Sequence, residues 1–281
     1  MSEFWPEEPG QEPPILTEVR DKVAIVTLNR PASLNAWNPV MGTLYFNTLE
    51  RLAVDPTVNV ILVHGAGRGF CAGADVKGLG NIAASGGKTP GRDPRRYWYP
   101  LSIGKPIIAA IHGACYTVGL QQALCCDLRF AARDAKIAAP YAKRGLIAEV
   151  GISWLLSRII GVSNSMELLL SSRTIDGEEA LRLGLVNKVY NADELFERSF
   201  EYCAAIAAEC SPWSMRTIKQ QLYHDLMLSL DPAFLRSEEF LKQALSGPDF
   251  VEGLSAFKEK RQPNFAPLTQ ELAKLDPWPE G

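Results

Sequence analysis

KPIIAAIHGACYTVGLQQALCCDLRFAA, Lys105–Ala132, changes its pattern twice within a short span. It begins as an apolar run, KPIIAAIHG, of the kind that forms a buried strand and stops at a glycine. After the glycine turn the apolar residues spread out, and a helix is entered near Val118-Gly119. DLRFAA, Asp127–Ala132, then reads as another strand. Strand, glycine turn, helix and strand in this order predict neighbouring strands that run the same way, with helices between them.

Working outward, the same device occurs upstream. VNVILVHG, Val58–Gly65, is a buried strand, and GRGFCAGADVKGL, Gly67–Leu79, follows it directly. The small residues Ala72, Gly73 and Ala74 allow close backbone approach, and Asp75 is placed to cap a helix starting there. A strand, a tight turn and a helix N-terminus leave N–H groups pointing outward, where they can hold a developing negative charge. Two such turns from neighbouring strands could aim two donors at one oxygen. A plain strand-to-helix connection explains either turn taken alone.

KVAIVTLNR, Lys22–Arg30, and LVNKVY, Leu185–Tyr190, supply further strands. A helix begins at Asn38-Pro39, with Met41, Leu44, Tyr45, Leu49 and Leu52 at helical spacing up to Asp55-Pro56. The strand-and-helix alternation predicts an α/β core with largely parallel strands. After residue 191 the pattern is almost purely helical, with breaks at Ser211-Pro212, Asp231-Pro232 and Gly247-Pro248. The expected organisation is a loose Pro- and Glu-rich arm at 1–14, a β/α core at 15–191 and a helical region with its tail at 192–281. Gly78–Arg96 reads as a loop, and Tyr97, Trp98 and Tyr99 after it could pack or line a pocket.

The chain has 281 residues, of which 47% are hydrophobic and 22% charged, with a net charge of −3. This is globular composition, and it gives no bulk-charge reason to expect nucleic acid or a membrane surface as partner. No apolar window approaches a membrane span of about 20 residues, and no secretory leader pattern is visible. The six cysteines lack metal-site spacing and fit buried thiols in a reducing, cytoplasmic setting.

The two turn segments resemble the signature stretches of the crotonase superfamily, the enoyl-CoA hydratase/isomerase family. So do RPASLNAW (Arg30–Trp37), DGEEALRLGLVNKV (Asp176–Val189) and EGLSAFKEKRQPNF (Glu252–Phe265), and the order holds over roughly residues 15–265. The resemblance implies a crotonase fold, a spiral of ββα turns with a C-terminal helical trimerisation region, commonly a homotrimer or a hexamer. It implies an acyl-CoA substrate, no separate cofactor and no metal. It also implies an oxyanion hole made by the N–H groups of Ala74 and Val118, with Val118 standing where a smaller residue is usual. Asn35 and Ala36 fall where relatives contact the adenine end. Ala72, Asp75 and Lys77 flank the thioester pocket. In the basic cluster Lys258, Lys260 and Arg261, Lys260 is the candidate for the CoA phosphates, and a solvated charged face is the alternative.

Hydratases of this family use two glutamates. At those positions this chain has Gln121 and Tyr141, both counted here with the substrate-contacting residues. Gln121 is a poor base, and a phenol with an ordinary pKa near ~10 is a poor one at neutral pH. The remaining acid lies in RGLIAEVGISWLL, Arg144–Leu156, where Glu149 stands among apolar residues ahead of a helix near Ile152. Family members resembling Δ3,Δ2-enoyl-CoA isomerases carry a single acid here, and one carboxylate suffices for a 1,3-proton shift. A solvated loop acid or helix-dipole partner is the bland reading. The expected function is therefore enoyl-CoA isomerisation with Glu149 as acid/base. Enoyl-CoA hydratase is the first alternative, and a non-catalytic acyl-CoA-binding protein the alternative of another class; thioester hydrolysis and decarboxylation also run on this scaffold. His64, His112 and Asp127 read as structural.

Overall fold

The computed structural model describes residues 12–75, 80, 84–86 and 93–275. Lys77, the start of the arm and most of the expected 78–96 loop lie outside the described residues. β1 (Ile15–Arg20) and β2 (Val23–Leu28) form an antiparallel hairpin. α1 (Pro39–Val54) follows, with Pro39 at its first position and the Asn38 side chain accepting from Met41 N at 2.8 Å. This is the start that Asn38-Pro39 predicts.

β3 (Val60–Gly65) and β4 (Ile107–Ile111) then add in parallel to β2. β5 (Ala114–Tyr116) leads at once into α2 (Val118–Leu124). β6 (Leu128–Ala132) joins β4 in parallel, β7 (Lys136–Ala138) pairs with β5, and α3 (Ile152–Ser171) follows. After α4 (Gly177–Arg182), β8 (Lys188–Tyr190) completes the large sheet in the order β1-β2-β3-β4-β6-β8. The parallel prediction holds for every pair but the hairpin. The near-continuous apolar runs of β3 and β4 follow from burial on both faces.

The short strands β5 and β7 form a second, small sheet. The pattern is thus strand, short strand, helix, repeated as β4-β5-α2 and β6-β7-α3. The upstream turn joins the stack through a parallel bridge between Cys71 and Cys115, and Cys115 in turn pairs with Ile137. Cys71, Cys115 and Ile137 therefore lie in register across three successive turns of a spiral. β1, β5 and β7 escape a reading of the sequence, because two of them are three residues long and β1 is an exposed edge strand.

α5 (Leu195–Glu209), α6 (Pro212–Asp225), α7 (Leu230–Ser246) and α8 (Pro248–Glu259) make up the helical region. α5 packs against β2, β3, β4 and β6, so the first helix beyond residue 191 lies on the large sheet. α6 is tied to the sheet by Asp127. Its carboxylate accepts from Ile107 N at 2.7 Å, Lys219 Nζ at 2.9 Å and the Tyr223 hydroxyl at 2.9 Å. Lys105 closes the other end of α1, donating to the carbonyls of Leu52 and Asp55 at 2.7 and 2.5 Å. A cation on the last carbonyls of a helix satisfies them and complements the helix dipole. No described helix is long and apolar enough to cross a membrane.

Candidate active site

The two small-residue turns lie directly against each other. Cys71 N donates to Ala114 O and Tyr116 N to Cys71 O, each at 2.9 Å. A Cβ at Gly119 would collide with the Cys71 carbonyl, and one at Gly73 would collide with Thr117 Oγ1. Gly73 has φ +98. The glycines are thus required by close backbone approach, and at Gly73 also by a left-handed conformation.

This contact sets the direction of two N–H groups. Ala74 pairs in parallel with Trp37: Trp37 N donates to Gly73 O at 2.7 Å and Asp75 N to Trp37 O at 2.9 Å. In such a pairing the residue between the two bonds turns its own N–H to the opposite side, so Ala74 N–H faces away from Trp37. Thr117 N is taken by Ala138 O at 3.1 Å. The next N–H is that of Val118, the first residue of α2, and a helix has no internal acceptor for it. Val118 is buried, and the residue with the unusual backbone is Thr117, with φ 46 and ψ −111. The site thus presents two backbone donors from touching turns, one of them at a helix N-terminus.

Downstream, the bond from Thr117 to Ala138 fixes the end of β7, and Tyr141 follows. Tyr141 N donates to Ala139 O at 2.8 Å, while its carbonyl accepts from Arg144 N at 2.9 Å and Leu146 N at 3.0 Å. Its side chain is buried, and its hydroxyl has no hydrogen-bond partner among the described residues. Burial first, and then the negative charge of Glu149, push its pKa well up. Tyr141 is therefore a donor at neutral pH and not a base, and Glu149 lies within electrostatic reach of it. Glu149 is half-buried. Its carbonyl accepts from Ile152 N at 3.1 Å, and Val150 and Gly151 after it both have positive φ, 50 and 81. This turn delivers the acid to the N-terminus of α3, which packs on α2. Leu146 and Ile147 just before it are exposed apolar residues, Ile147 at 80%.

Other expected site residues have different surroundings. Gln121 is fully buried and committed within the fold, which corrects the expectation that it is open to a ligand. Its amide donates to Tyr97 O at 3.3 Å and faces Cys125 Sγ at 3.2 Å, while its oxygen accepts from Gln122 at 2.7 Å. Asn35 is similarly occupied. Its oxygen accepts from Arg30 N at 2.8 Å, and its amide donates to Ala66 O and Gly69 O at 2.9 and 2.7 Å. Its own N–H donates to Arg30 O at 2.9 Å, the residue is fully buried, and the Ala36 carbonyl already accepts from Arg30. Asp75 pairs with Arg30 at 2.9 Å, and the helix it is expected to cap lies outside the described residues. Ala72 N donates to Leu34 O at 3.0 Å. Lys260 is exposed at the end of α8, whereas Arg261 beside it is engaged by Glu252 and Glu259 at 2.6 and 2.7 Å.

The remaining candidates have structural contacts. His64 meets Thr27 Oγ1 at 2.8 Å and packs at a tilt against Phe196 with ring centres 4.8 Å apart. Burial, with the charge of His112 second, holds its pKa down at about 4. His112 Nε2 lies 3.0 Å from Gly67 O and its carbonyl accepts from Phe70 N at 2.8 Å, joining the two turn segments. Burial pushes the Cys71 thiol up to about 12, which makes it a poor nucleophile. Among the described residues no group of His, Cys, Asp or Glu could hold a metal ion.

Comparison with known proteins identifies the family. The enoyl-CoA hydratase/isomerase family matches residues 18–267. A probable enoyl-CoA hydratase of Mycobacterium leprae is 34% identical over 252 residues, covering 89% of this chain and 97% of that protein. The 1,2-epoxyphenylacetyl-CoA isomerase of Escherichia coli is 31% identical over 256 residues, with coverage of 89% and 97%. A crystal structure of a probable enoyl-CoA hydratase/isomerase from Mycobacterium abscessus superposes with a TM-score of 0.83 at 26% identity, covering 90% of this chain and 99% of that one. Stacked ββα turns, a pair of outward N–H groups and a family match along nearly the whole chain lead to one conclusion: this protein is a member of the crotonase superfamily and belongs to its enoyl-CoA hydratase/isomerase family.

Proposed function

We propose that the protein isomerises enoyl-CoA esters, moving a double bond from the 3 to the 2 position. The observation that carries this reading is the position of Glu149. It is the carboxylate that the strained Val150-Gly151 turn brings to α3, beside Tyr141, while the other two acid positions hold Gln121 and Tyr141. Glu149 takes a proton from C2 of the 3-enoyl ester. The electrons of that C–H bond form the C1–C2 double bond of a dienolate whose negative charge rests on the thioester oxygen. The N–H groups of Ala74 and Val118 hold that oxygen, an interaction strongest when the charge is greatest. The protonated Glu149 then delivers its proton to C4, the double bond settles between C2 and C3, and the carboxylate is regenerated. No water is consumed and no other acid is needed.

Hydration of a 2-enoyl ester is the second reading, favoured by the relative named a probable hydratase. Glu149 would then activate the water. One experiment separates the two. Wild type and Glu149→Gln are incubated with 3-enoyl-CoA and 2-enoyl-CoA in deuterated water, and products are followed by mass. Isomerisation predicts conversion of the 3-enoyl ester by wild type and a loss of about a thousandfold or more in the variant. This magnitude belongs to a reaction deprived of its only acid/base. Conversion of the 3-enoyl ester that survives in the variant sinks the isomerase reading, and water addition alone installs the hydratase. A pure acyl-CoA-binding protein would show affinity without turnover.

The same reading assigns Ala72, Asp75 and Lys77 to the rim of the thioester pocket, the Asn35–Ala36 stretch to the adenine end, and Lys260 to the CoA phosphates. It takes the working form as a cytoplasmic homotrimer or dimer of trimers. In support, α7 buries none of its residues in the protomer although Leu230, Phe234, Leu241 and Leu245 fall on one face.

A further inference from the structure

One side chain brackets the pairing that aims the Ala74 N–H. Ala74 pairs in parallel with Trp37, and this turns its N–H outward. Arg30 reaches both segments of that pair. Its Nη1 donates to the carbonyl of Ala36, the residue before Trp37. Its Nη2 meets the carboxylate of Asp75, the residue after Ala74, at 2.9 Å. A guanidinium holds its donors in a rigid planar fork. The two contacts therefore fix the spacing of the two segments as well as drawing them together.

The base of the fork is fixed too. Arg30 N donates to Asn35 Oδ1 at 2.8 Å, and the Arg30 carbonyl accepts from Ser33 N at 3.0 Å and Asn35 N at 2.9 Å. Within this turn Leu34 and Asn35 both have positive φ, 52 and 55, a conformation that leucine rarely adopts. The turn keeps that shape because it is bonded to the segment opposite. The Asn35 amide donates to the carbonyls of Ala66 and Gly69 at 2.9 and 2.7 Å, and Ala72 N donates to Leu34 O at 3.0 Å. Residues 30–37 are thus clipped along residues 66–75, and the Arg30 clip is the one that closes around Trp37 and Ala74.

We propose that Arg30 is a positioning residue: its guanidinium holds the Ala74 N–H in line with the thioester oxygen and touches no part of the ligand. The inference rests on the acyl-CoA reading of the site and on Ala74 as one of its two donors. A hydrogen bond weakens as its donor turns off line, so a loosened pairing costs the oxygen one of its partners when its charge is greatest. The charge of Arg30 alone does not do this. An ion pair open to solvent contributes little, and it is the second contact, to Ala36, that makes the pair a brace.

The test reads the donors through the infrared band of the thioester carbonyl. Hexanoyl-CoA labelled with carbon-13 at C1 has no double bond, so its spectrum is independent of whether the protein isomerises or hydrates. Bound to wild type, the band should lie at lower wavenumber than for the free ester in water, because two aligned donors polarise the carbonyl. Arg30→Met should lose about half of that displacement or more, the share of one donor in two. Arg30→Lys keeps the charge without the fork and should lose it likewise. Affinity for coenzyme A without an acyl group should stay within about twofold of wild type, and kcat on the active substrate should fall about tenfold or more at nearly constant KM. Thermal midpoints show which variants are folded. An undisturbed band in Arg30→Met would overturn the proposal. So would an undisturbed band in Arg30→Lys, which would leave only a charge effect, and so would a loss of about tenfold in coenzyme A affinity, which would make Arg30 a ligand contact. Should neither variant fold, Arg30 belongs to the fold at large and the proposal fails. A wild-type complex with no displacement of the band would remove the oxyanion-hole reading, and failure of the ester to bind would remove the acyl-CoA reading, each taking the proposal with it.

Discussion

Thr117 and Val150 are the β-branched residues with positive φ among the described residues, at 46 and 50. Both stand next to a group that the proposed function uses, Thr117 before the Val118 N–H and Val150 after Glu149. Such conformations cost about 1–3 kcal/mol each and persist where the surroundings force them. At Thr117 the surroundings are the bond to Ala138 and the face of Gly73, and its own hydroxyl is buried without a partner among the described residues. Thr117→Gly should relieve the strain and remove the orphan hydroxyl, partly offset by the ~0.5–1 kcal/mol that glycine's freedom costs. The expected result is a gain of about 1 kcal/mol, seen as a rise of roughly 2 °C in Tm by calorimetry. A fall in Tm would mean that the threonine is a comfortable part of the turn. His64 carries the pH-dependent part of this scale. Its ring stays neutral in the fold down to a pKa of about 4, against an ordinary 6.5. As pH falls below 6.5 the unfolded chain takes up a proton that the folded one refuses. The stability contribution is therefore complete above 6.5, declines between 6.5 and 4, and changes no further below that. Denaturation of His64→Gln across this range should show a flatter acid limb than wild type.

At the scale of elements, Asp127 joins β4 to α6 through three donors, and one of them, Lys219, is buried. Asp127→Ala would strand that cation, and breaking such a pair typically costs about 3–5 kcal/mol. Urea denaturation should show the loss, and a change below ~1 kcal/mol would mean that Lys219 finds water. The sequence marks Asp127 as structural at the start of a strand, but its partners lie far along the chain and are not named by it. Here the legibility of the sequence reaches its limit. Strands β2, β3, β4, β6 and β8 of the large sheet, the helix starts at Pro39, Val118, Pro212 and Pro248, and the two small-residue turns depend on local signals, and a local reading finds them. The start at α7 is displaced, because Pro232 sits inside the first turn and not at its head. The small sheet is not legible, since β5 and β7 are held by partners on different turns of the spiral. Occupied side chains are not legible either: Gln121 and Asn35 look available until their acceptors and donors are in place. Tyr141 stands out in the sequence for what it replaces, while its unpaired hydroxyl emerges only from the packed structure.

At the scale of the molecule, apolar surface is left over on the helical region. α7 has no buried residue, Leu230 is 81% exposed on it, and Phe257 on α8 is 83% exposed. Each such side chain gains about 1.5–3 kcal/mol when covered, so a second copy of the chain has much to offer this face. Light scattering should return the mass of a trimer or a hexamer, and Phe234→Lys with Leu241→Lys should reduce it to a single protomer. A wild type that stays monomeric at high concentration would refute this assembly. The register of Cys71, Cys115 and Ile137 has its own consequence for the molecule. The two donor N–H groups belong to adjacent rungs, so their separation is tied to the repeat between neighbouring strands, about 4.8 Å. That repeat is a constant of backbone pairing, which side-chain replacement leaves alone. On the function proposed above, the chain thus carries a gauge of fixed width for one oxygen atom, while the acid, standing on a separate turn, can be moved or exchanged without resetting the gauge.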